Sequence, residues 1–283
     1  MEFFYTGNKT ADLTIDGGLN IRATGMKYAN AIQNDCMLQI SNLKKDTRDH
    51  LATQMTKWNY NQKRKHIRLY AGRVSTGLFL LYSGDIIECT ASQPPDITLN
   101  IHCQTMAFWK QNFLAQAQNL SAQTSQIING IGKSLGTPDV PIAIRNESTD
   151  KKIANYSYTG SAAKQIDKLN LLGLVAYMDN DTLVVMDKGV TLKNEVHVLN
   201  MNSGMIGVPE LTDVGVRVRM LLTPSIKLGG KFTMQSYLNN MLDGDYYIYQ
   251  LGFDIASRDT PFYGIAYGSK NWNLFGAANL PNA

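Results

Sequence analysis

The sequence predicts a mainly β protein with an α+β middle region, in which two small β-barrel domains flank a helix-plus-hairpin domain. Closely spaced strand-like segments fill residues 13–105 and the stretch after residue 195, whereas helical periodicity occurs only between them. A length of 283 residues suits two or three domains that each have their own core. We therefore expect domains at residues 1–105, 106–194 and 195–283.

The first region contains short alternating segments joined by polar or glycine-bearing turns. Such close spacing is typical of a small closed or half-closed barrel. One polar insertion, residues 42–51, has helix-forming residues after a capping-type residue and predicts a short helix over one barrel end. The predicted strands are residues 19–22, 37–40, 67–72, 78–82, 85–90 and 97–101.

The middle region combines two helices with a hairpin. Apolar residues recur at helical spacing from Thr124, a candidate cap, until Gly136, and again from the candidate cap Ser161 until Gly173. A strand is predicted at residues 140–144. The segments 174–178 and 182–186 flank a tight turn and predict a β-hairpin.

The third region returns to strands. A loop fixed by glycine and proline at residues 203–209 leads into a strand at residues 214–222. The other predicted strands are residues 196–199, 231–236, 246–253 and 262–267. Together they predict a second barrel.

Composition is that of a folded protein, with 44% hydrophobic and 18% charged residues. The net charge of +4 is small, and the one basic run, residues 63–68, reads as a solvated turn before a strand. The first seven residues do not resemble a signal peptide, and no stretch approaches the roughly 20 apolar residues of a membrane helix. We expect folding in the cytoplasm and no membrane-spanning segment.

Catalytic and metal-binding motifs are absent from the sequence. The four histidines lie in separate segments, and neither a GxSxG nor a GxxxxGK[ST] motif occurs. Cys36, Cys89 and Cys103 share no metal-type spacing and are predicted to be reduced core thiols. We therefore predict a protein that is not an enzyme, with no catalytic, cofactor-binding or metal-binding residues.

Three near-matches have simpler explanations. Asp49 and His50 are helical neighbours and do not face each other. Residues 130–134 resemble the end of a phosphate loop but lie inside a helical pattern. The aspartates of the turn at residues 179–181 are expected to bond their own backbone.

Aromatic residues are densest at residues 245–249, where alternate side chains of a strand face opposite sides. One face can fill a barrel while the other presents tyrosine to a partner, a residue type that suits interfaces. Tyr247 and Tyr249 are the candidates for such contacts.

The stretch from the loop at residues 203–209 through residues 214–222 to Pro224 and the glycines at 229–230 resembles the C-terminal part of baseplate hub proteins of contractile-tailed bacteriophages. Weaker similarities to that family run through most of the chain, at residues 19–21, 42–51, 69–73, 83–86, 158–162, 183–189 and 244–248. Two departures are Arg73, where the family commonly has tyrosine, and residues 253–259, which replace a charged Gly-Asp turn.

The resemblance implies a homotrimer in which each chain gives two tube-type barrels, so that three chains form a pseudo-sixfold ring. Such a ring joins the hexameric tail tube protein to the trimeric central spike protein inside a baseplate with wedge proteins. It also surrounds a channel for the tape measure protein and, in passage only, DNA. The candidate interface residues are Gly204, Met205, Ile206, Gly207, Val208, Pro209, Tyr247 and Tyr249.

Two further expectations follow from the resemblance. The protein should be part of the virion, in the tail baseplate, after assembly in the host cytoplasm. The basic run at residues 63–68 should point away from a channel that passes DNA, because phosphate contacts with Lys and Arg dominate nucleic-acid affinity.

Three alternatives stay open at this point. The hub of a phage-derived injection particle or of a type VI secretion spike would share the fold and the motif. A tail-associated cell-wall hydrolase would need paired carboxylates or a metal triad in a cleft. A carbohydrate-binding β module would need an exposed aromatic platform.

Overall fold

The computed structural model describes residues 2–6, 13–15, 19–54, 65–112, 114–161, 164–193 and 196–271. Most of the described residues lie in strands and few lie in helices. The predicted fold class, mainly β with an α+β middle region, is confirmed.

The strands are β1 Glu2–Thr6, β2 Leu13–Ile15, β3 Asn20–Tyr28, β4 Asp35–Ser41, β5 His66–Arg73, β6 Gly77–Ala91, β7 Thr98–Gln104, β8 Leu114–Gln123, β9 Ala143–Asn146, β10 Lys152–Ser161, β11 Leu174–Asp179, β12 Thr182–Asp187, β13 Val196–Leu199, β14 Met205–Thr212, β15 Gly215–Leu221, β16 Lys231–Met234, β17 Gly244–Ala256 and β18 Phe262–Ser269. The α-helices are α1 Lys45–Gln54, α2 Ala107–Asn112, α3 Thr124–Leu135 and α4 Gln165–Leu171. A 3-10 turn covers Asn240–Leu242.

One large sheet joins strands from both ends of the chain, in the order β14-β15-β18-β17-β3-β4-β7-β6-β5-β1-β2. The strand β17 pairs with β18 along one edge, and its other edge is long enough for two partners. Its first residues pair with β16, and residues 250–256 pair with β3. The two regions that the sequence assigns to separate barrels are therefore hydrogen-bonded edge to edge. The domain boundaries at residues 105 and 194 stay a prediction.

The first region folds around alternate residues of its strands. Ile21 and Ala23 of β3 are buried, whereas Arg22 between them faces outward, as expected for a strand with one covered face. The predicted helix over the barrel end is α1, and its Leu51 is buried in the same core. Burial of one such leucine stabilises the fold by about 1.5–3 kcal/mol.

The middle region contains the predicted hairpin, β11–β12, which β9 extends to three strands. Residues 174–178 are all buried because both faces of the hairpin are covered. Ala176 and its neighbours on one face pack against α3 and α4. Val175 and Tyr177 on the other face pack against residues of the third region. The hairpin therefore lies between the helices and the large sheet.

Two local predictions were wrong. Two strands were predicted at residues 78–90, but β6 is one continuous strand, in which Gly84 packs against the Tyr82 ring instead of turning the chain. The loop predicted at residues 203–209 is mostly part of the edge strand β14. One strand was not predicted: residues 114–123, rich in Gln, Ala and Ser, form β8, whose partner β10 begins some thirty residues later.

Candidate functional site

The turn of the middle hairpin docks into the first region through a cluster of polar contacts, here called the polar junction: Lys27, Asn34, His66, Arg68, Ser83, Asp85, Asp179, Asn180 and Asp181. Lys27 Nζ donates hydrogen bonds of 2.9 Å to Asp179 Oδ1 and of 2.9 Å to Asn180 Oδ1. Asn34 Nδ2 donates to the backbone oxygen of Met178 over 2.8 Å. The tip of the hairpin is therefore held by side chains from the loop after β3 and from β3 itself.

Asp181 receives three groups from the first region. Arg68 Nε lies 2.9 Å from Asp181 Oδ2. The Ser83 hydroxyl donates to Asp181 Oδ1 over 2.6 Å, and His66 Nε2 lies 2.9 Å from that oxygen. The other ring nitrogen of His66 lies 2.9 Å from Asp85 Oδ1. A buried imidazole is thus held between two carboxylates.

Opposite shifts of the pKa follow from this arrangement. Burial by itself lowers the pKa of His66, but the hydrogen bonds and charges of Asp181 and Asp85 outweigh it and raise that pKa. Burial would raise the pKa of Asp181, but His66, Ser83 and Arg68 hold it well below its usual range. The junction is most stable with a charged imidazole and an ionised Asp181.

Ser83, His66 and Asp85 are connected in the order of a serine hydrolase triad, with His66 Nε2 2.7 Å from Ser83 Oγ. Each of the three residues is at most 3% exposed, and the serine proton is directed at Asp181. A substrate carbonyl cannot reach Ser83 while the hairpin is docked. The two carboxylates bind opposite nitrogens of one ring and do not converge, and no cluster suited to a metal ion occurs among the described residues.

A second contact, centred on Tyr177, docks the hairpin against the third region. The buried Tyr177 hydroxyl donates to the backbone oxygen of Leu228 over 2.7 Å. The next residue, Gly229, has φ +75°, and a Cβ built on it would lie 2.2 Å from Tyr177 Oη. A glycine is needed there for both reasons. Tyr177 packs in the cluster that also contains Leu228, Tyr249 and Tyr267.

The face of the large sheet opposite the cores is exposed along a row of residues in both regions, and we call this exposed part the open face. Directly paired residues of neighbouring strands point to the same side. One row crosses seven strands in this way, from β6 to β15: Glu88, His102, Met37, Thr24, Asp254, Tyr263 and Leu221. Every member of the row is partly or fully exposed. The row shows that the open face continues without a break from the first region to the third.

Charges on the open face are largely paired. Arg22 lies 3.8 Å from Asp254, and Arg217 lies 2.7 Å from Glu210. The Arg219 guanidinium lies 4.7 Å from the centre of the Tyr263 ring. The face therefore has no concentration of unpaired basic groups among these residues.

Two strands of this sheet leave all or part of one edge without a partner strand. Within the described residues, β14 pairs with β15 alone, and the part of β6 beyond residue 86 pairs with β7 alone. Leu211 of β14 lies opposite the buried Val216, on the core side of the sheet, yet it is 73% exposed. An apolar side chain on the core side of an edge strand is suited to contact with another chain.

The predicted interface residues separate into buried and accessible ones. Met205, Pro209 and Tyr249 are buried inside the protomer, and Tyr249 packs against the middle hairpin. Val208 and Gly207 are exposed on β14. The half-buried residues are Gly204, Ile206 and Tyr247. Tyr249 as folded therefore packs within its own chain, and a contact between proteins at β14 stays a prediction.

The basic run is not the solvated turn that charge patterning predicts. Lys63 and Arg64 lie outside the described residues, but Lys65 and His66 are buried and Arg68 binds Asp181. The prediction for Asp179 and Asp181 was also wrong, since their carboxylates bind side chains of the first region. A single sequence gives no signal for these pairs, which are more than a hundred residues apart.

No helix among the described residues is long and apolar enough to cross a membrane. No curated protein matches the sequence.

Comparison with known proteins identifies one family by its sequence model and several proteins of similar structure. The model of the family described as "Baseplate hub gp41" matches residues 3–268. The 43 kDa tail protein of prophage MuSo2 from Shewanella oneidensis has a similar structure, with a TM-score of 0.61, 10% identity, and coverage of 95% of this chain and 98% of that one. A tail protein from Neisseria meningitidis MC58 gives a TM-score of 0.61, 8% identity, and coverage of 95% and 97%.

A third similar structure is the Escherichia coli c3393 protein, a component of the type VI secretion system described as structurally similar to T4 bacteriophage tail proteins. Its TM-score is 0.58 at 9% identity, with coverage of 98% of this chain and 79% of that one. These three likenesses show the fold, and the family match covers nearly the whole chain. The chain belongs to the baseplate hub gp41 family of phage tail structural proteins.

Proposed function

We propose that this protein is the hub of a contractile phage tail, a non-enzymatic homotrimer that joins the hexameric tail tube to the trimeric central spike. The observation that carries the proposal is the β3–β17 ladder, which fuses the strands of two barrel regions into one sheet with one open face. Two similar regions in each of three chains give six quasi-equivalent units, which lets a threefold assembly match a sixfold tube.

The open face supplies the channel wall in this proposal. Its side chains are polar or mixed, and its arginines are paired with carboxylates or stacked on an aromatic ring. Phosphate contacts with unpaired Lys and Arg would hold DNA in place. A wall of this kind lets the tape measure protein and then DNA pass. In the basic run, Lys65 and His66 are buried and Arg68 binds Asp181, so these residues do not add unpaired charge to the wall.

Closure of the ring uses two different edges. A cyclic trimer needs a heterologous contact in which one patch of each chain meets another patch of its neighbour. The edge of β14 and the unpaired edge along the second half of β6 are two separate edges of the sheet and fit that requirement. Leu211 would then be covered by the neighbouring chain. The tube, the spike and the wedge proteins contact the remaining rims and outer surfaces.

The mass of the protein in solution tests this proposal. Light scattering should show a trimer, alone or on addition of the candidate spike protein. Leu211→Asp should abolish the trimer and leave the protomer folded, because Leu211 is exposed there. Val74→Asp changes an even more exposed apolar residue in a turn and should leave the trimer intact. A monomer under all conditions would contradict the proposed ring.

A hydrolase function has a weaker basis. The only triad-like connection noted above, at Ser83, is closed by the docked hairpin and its serine proton is bound by Asp181. We expect no release of fragments from peptidoglycan by the purified protein, measured as loss of turbidity. The corresponding hub of a type VI particle is the second candidate, because c3393 has almost the same TM-score as the phage proteins. Binding to a phage tail tube rather than to a type VI tube would distinguish them.

A further inference from the structure

A cleft of about 230 Å³ lies where the three regions of the chain meet. The first region lines it with Lys27 and residues 79–81, and the middle region with the hairpin tip at residues 179–180. The third region supplies residues 222–224 and 226–228, part of the stretch that resembles the hub family. The cleft therefore belongs to no single region.

Its apolar walls come from three separate cores. Leu81 and Phe253 are members of the core of the first region, and Met220 and Ile226 are members of the core of the third. Leu228 belongs to the cluster that covers the middle hairpin. Protein interiors leave few spaces larger than a water molecule, and an apolar space of about 150 Å³ holds benzene. The cleft is therefore large enough for one ring with a substituent.

One wall carries a buried hydrogen-bond donor. The Lys27 side chain is 9% exposed and lines the cleft. An ammonium group has three N–H donors, and the hydrogen bonds to Asp179 and Asn180 use two of them. The third has no partner within the part of the chain that the structure describes. An acceptor oxygen in the cleft would satisfy it.

The charges at the cleft favour an uncharged ligand. Asp179 Oδ1 lies 2.9 Å from Lys27 Nζ and already balances its charge. A second anion would have to leave water beside the Asp179 carboxylate, which is costly. Lys227 also lines the cleft, but it is exposed, and exposed ion pairs contribute little.

The loop that forms one wall is held in place at its end. The Tyr177 hydroxyl donates to the backbone oxygen of Leu228 over 2.7 Å. Gly229 N donates to Ile248 O over 3.0 Å, and Ile248 N donates to Gly230 O over 2.9 Å. A ligand would thus enter a largely preformed site and would not have to order this loop.

We propose that the cleft binds a small uncharged molecule that has one six-membered ring and one hydrogen-bond acceptor. The ring packs between the apolar walls, and the acceptor accepts the third N–H of Lys27. Because residues of all three regions contact such a ligand, binding also strengthens the docking of the middle hairpin.

NMR titration of the full chain with acetophenone tests the proposal. Acetophenone has a ring, one carbonyl and about nine non-hydrogen atoms, a size for which a dissociation constant of about 1 mM or lower is attainable. With methionine methyl groups labelled with carbon-13, the Met220 signal should shift and saturate, because Met220 lines the cleft. Met201 and Met241 are exposed outside the cleft and should not shift. No shift at Met220, or equal shifts at all three methionines, would overturn the proposal.

Two variants of one loop locate the binding. Thr223→Trp places a large side chain in the cleft and should weaken binding at least about tenfold. Ser225→Trp is the matched control, because Ser225 is exposed in the same loop and does not line the cleft. Equal binding by the two variants would place acetophenone elsewhere and refute the site.

The class of ligand has its own test. Benzoate has nearly the size of acetophenone but carries a negative charge at pH 7, and it should bind at least about tenfold more weakly. Lys27→Leu removes the donor and should weaken the binding of acetophenone at least about fivefold. The Met186 signal reports that the hairpin stays docked in this variant, since Met186 is buried in the hairpin cluster. Benzoate binding as tight as that of acetophenone would contradict the uncharged class, and an unchanged affinity in Lys27→Leu would contradict the role of the donor.

Discussion

Asp181→Asn should weaken the polar junction more than any other single isosteric change in it. The substitution keeps the size of the side chain but removes the negative charge between His66 and Arg68. His66 is 3% and Asp181 15% exposed at the side chain, so solvent screens this site poorly. Breaking a buried ion pair by removing one partner costs about 3–5 kcal/mol, because the other charge stays buried without compensation.

The expected change in melting temperature follows from chain length. Unfolding entropy of about 2.1 cal/mol/K per residue gives about 0.6 kcal/mol/K for a chain of this length that unfolds as one unit. A loss of 3–5 kcal/mol therefore lowers Tm by about 5–8 °C. Asp245→Asn is the matched control: Asp245 is half exposed and also binds Lys231 and Thr233. An exposed pair of that kind contributes about 0–1 kcal/mol.

The pH dependence separates this explanation from a simple packing defect. The raised pKa of His66 gives stability that is complete below about pH 6.5, the unfolded value, and that is lost as pH rises through the folded pKa. The lowered pKa of Asp181 gives stability that is complete above about pH 4 and is lost only in acid. The native protein should therefore be less stable at pH 9 than at pH 5.5 with respect to this pair.

In Asp181→Asn the largest contribution that raises the pKa of His66, the hydrogen bond to the Asp181 carboxylate, is gone, and burial favours the neutral ring. The difference in unfolding free energy between native protein and variant should then be largest near pH 5.5 and smaller at pH 9. Urea unfolding followed by circular dichroism at both pH values measures it. A difference that is independent of pH, or one no larger than that of Asp245→Asn, would show that the charge of Asp181 does not hold the junction.

Three further outcomes are expected. Gly229→Ala should destabilise the protein by about 2–4 kcal/mol in urea unfolding, because it combines a positive φ with a clash against Tyr177. The control Gly189→Ala, with φ +86° and open space around the new methyl group, should cost only about 1 kcal/mol. Equal losses in the two variants would contradict the clash. Tyr177→Phe leaves the buried oxygen of Leu228 without its donor and should cost about 1–3 kcal/mol by the same measurement. The control Tyr263→Phe should change the stability negligibly, because the native Tyr263 hydroxyl lies on the open face, 3.4 Å from Asp254. In the native protein the three cysteines should not react with a thiol reagent at pH 8, because they are buried and burial raises the pKa of each. All three should react after denaturation. A fast-reacting thiol in the folded state would refute their placement in the core.

Local patterns were sufficient for most of the elements. The alternation at Ile21 and Ala23 and the helical spacing of Ile127, Ile128 and Ile131 each depend on neighbours in the chain, so periodicity predicts them. The hairpin β11–β12 was predicted in full because its turn residues lie between two short apolar runs. Local signals failed where a glycine serves packing instead of a turn, as at Gly84, whose contact with Tyr82 is tertiary.

The sequence alone determined the fold class, the assignment of the three cysteines as reduced core thiols, and the family resemblance, which the match over residues 3–268 supports. These depend on composition, periodicity and motifs, which are properties of nearby residues. Only the tertiary structure decided that β3 and β17 join the two barrel regions, and that His66 and Asp181 form a buried pair. Their partners lie more than a hundred residues apart, and sequence spacing contains no information about which distant strand edge or charge will be adjacent after folding.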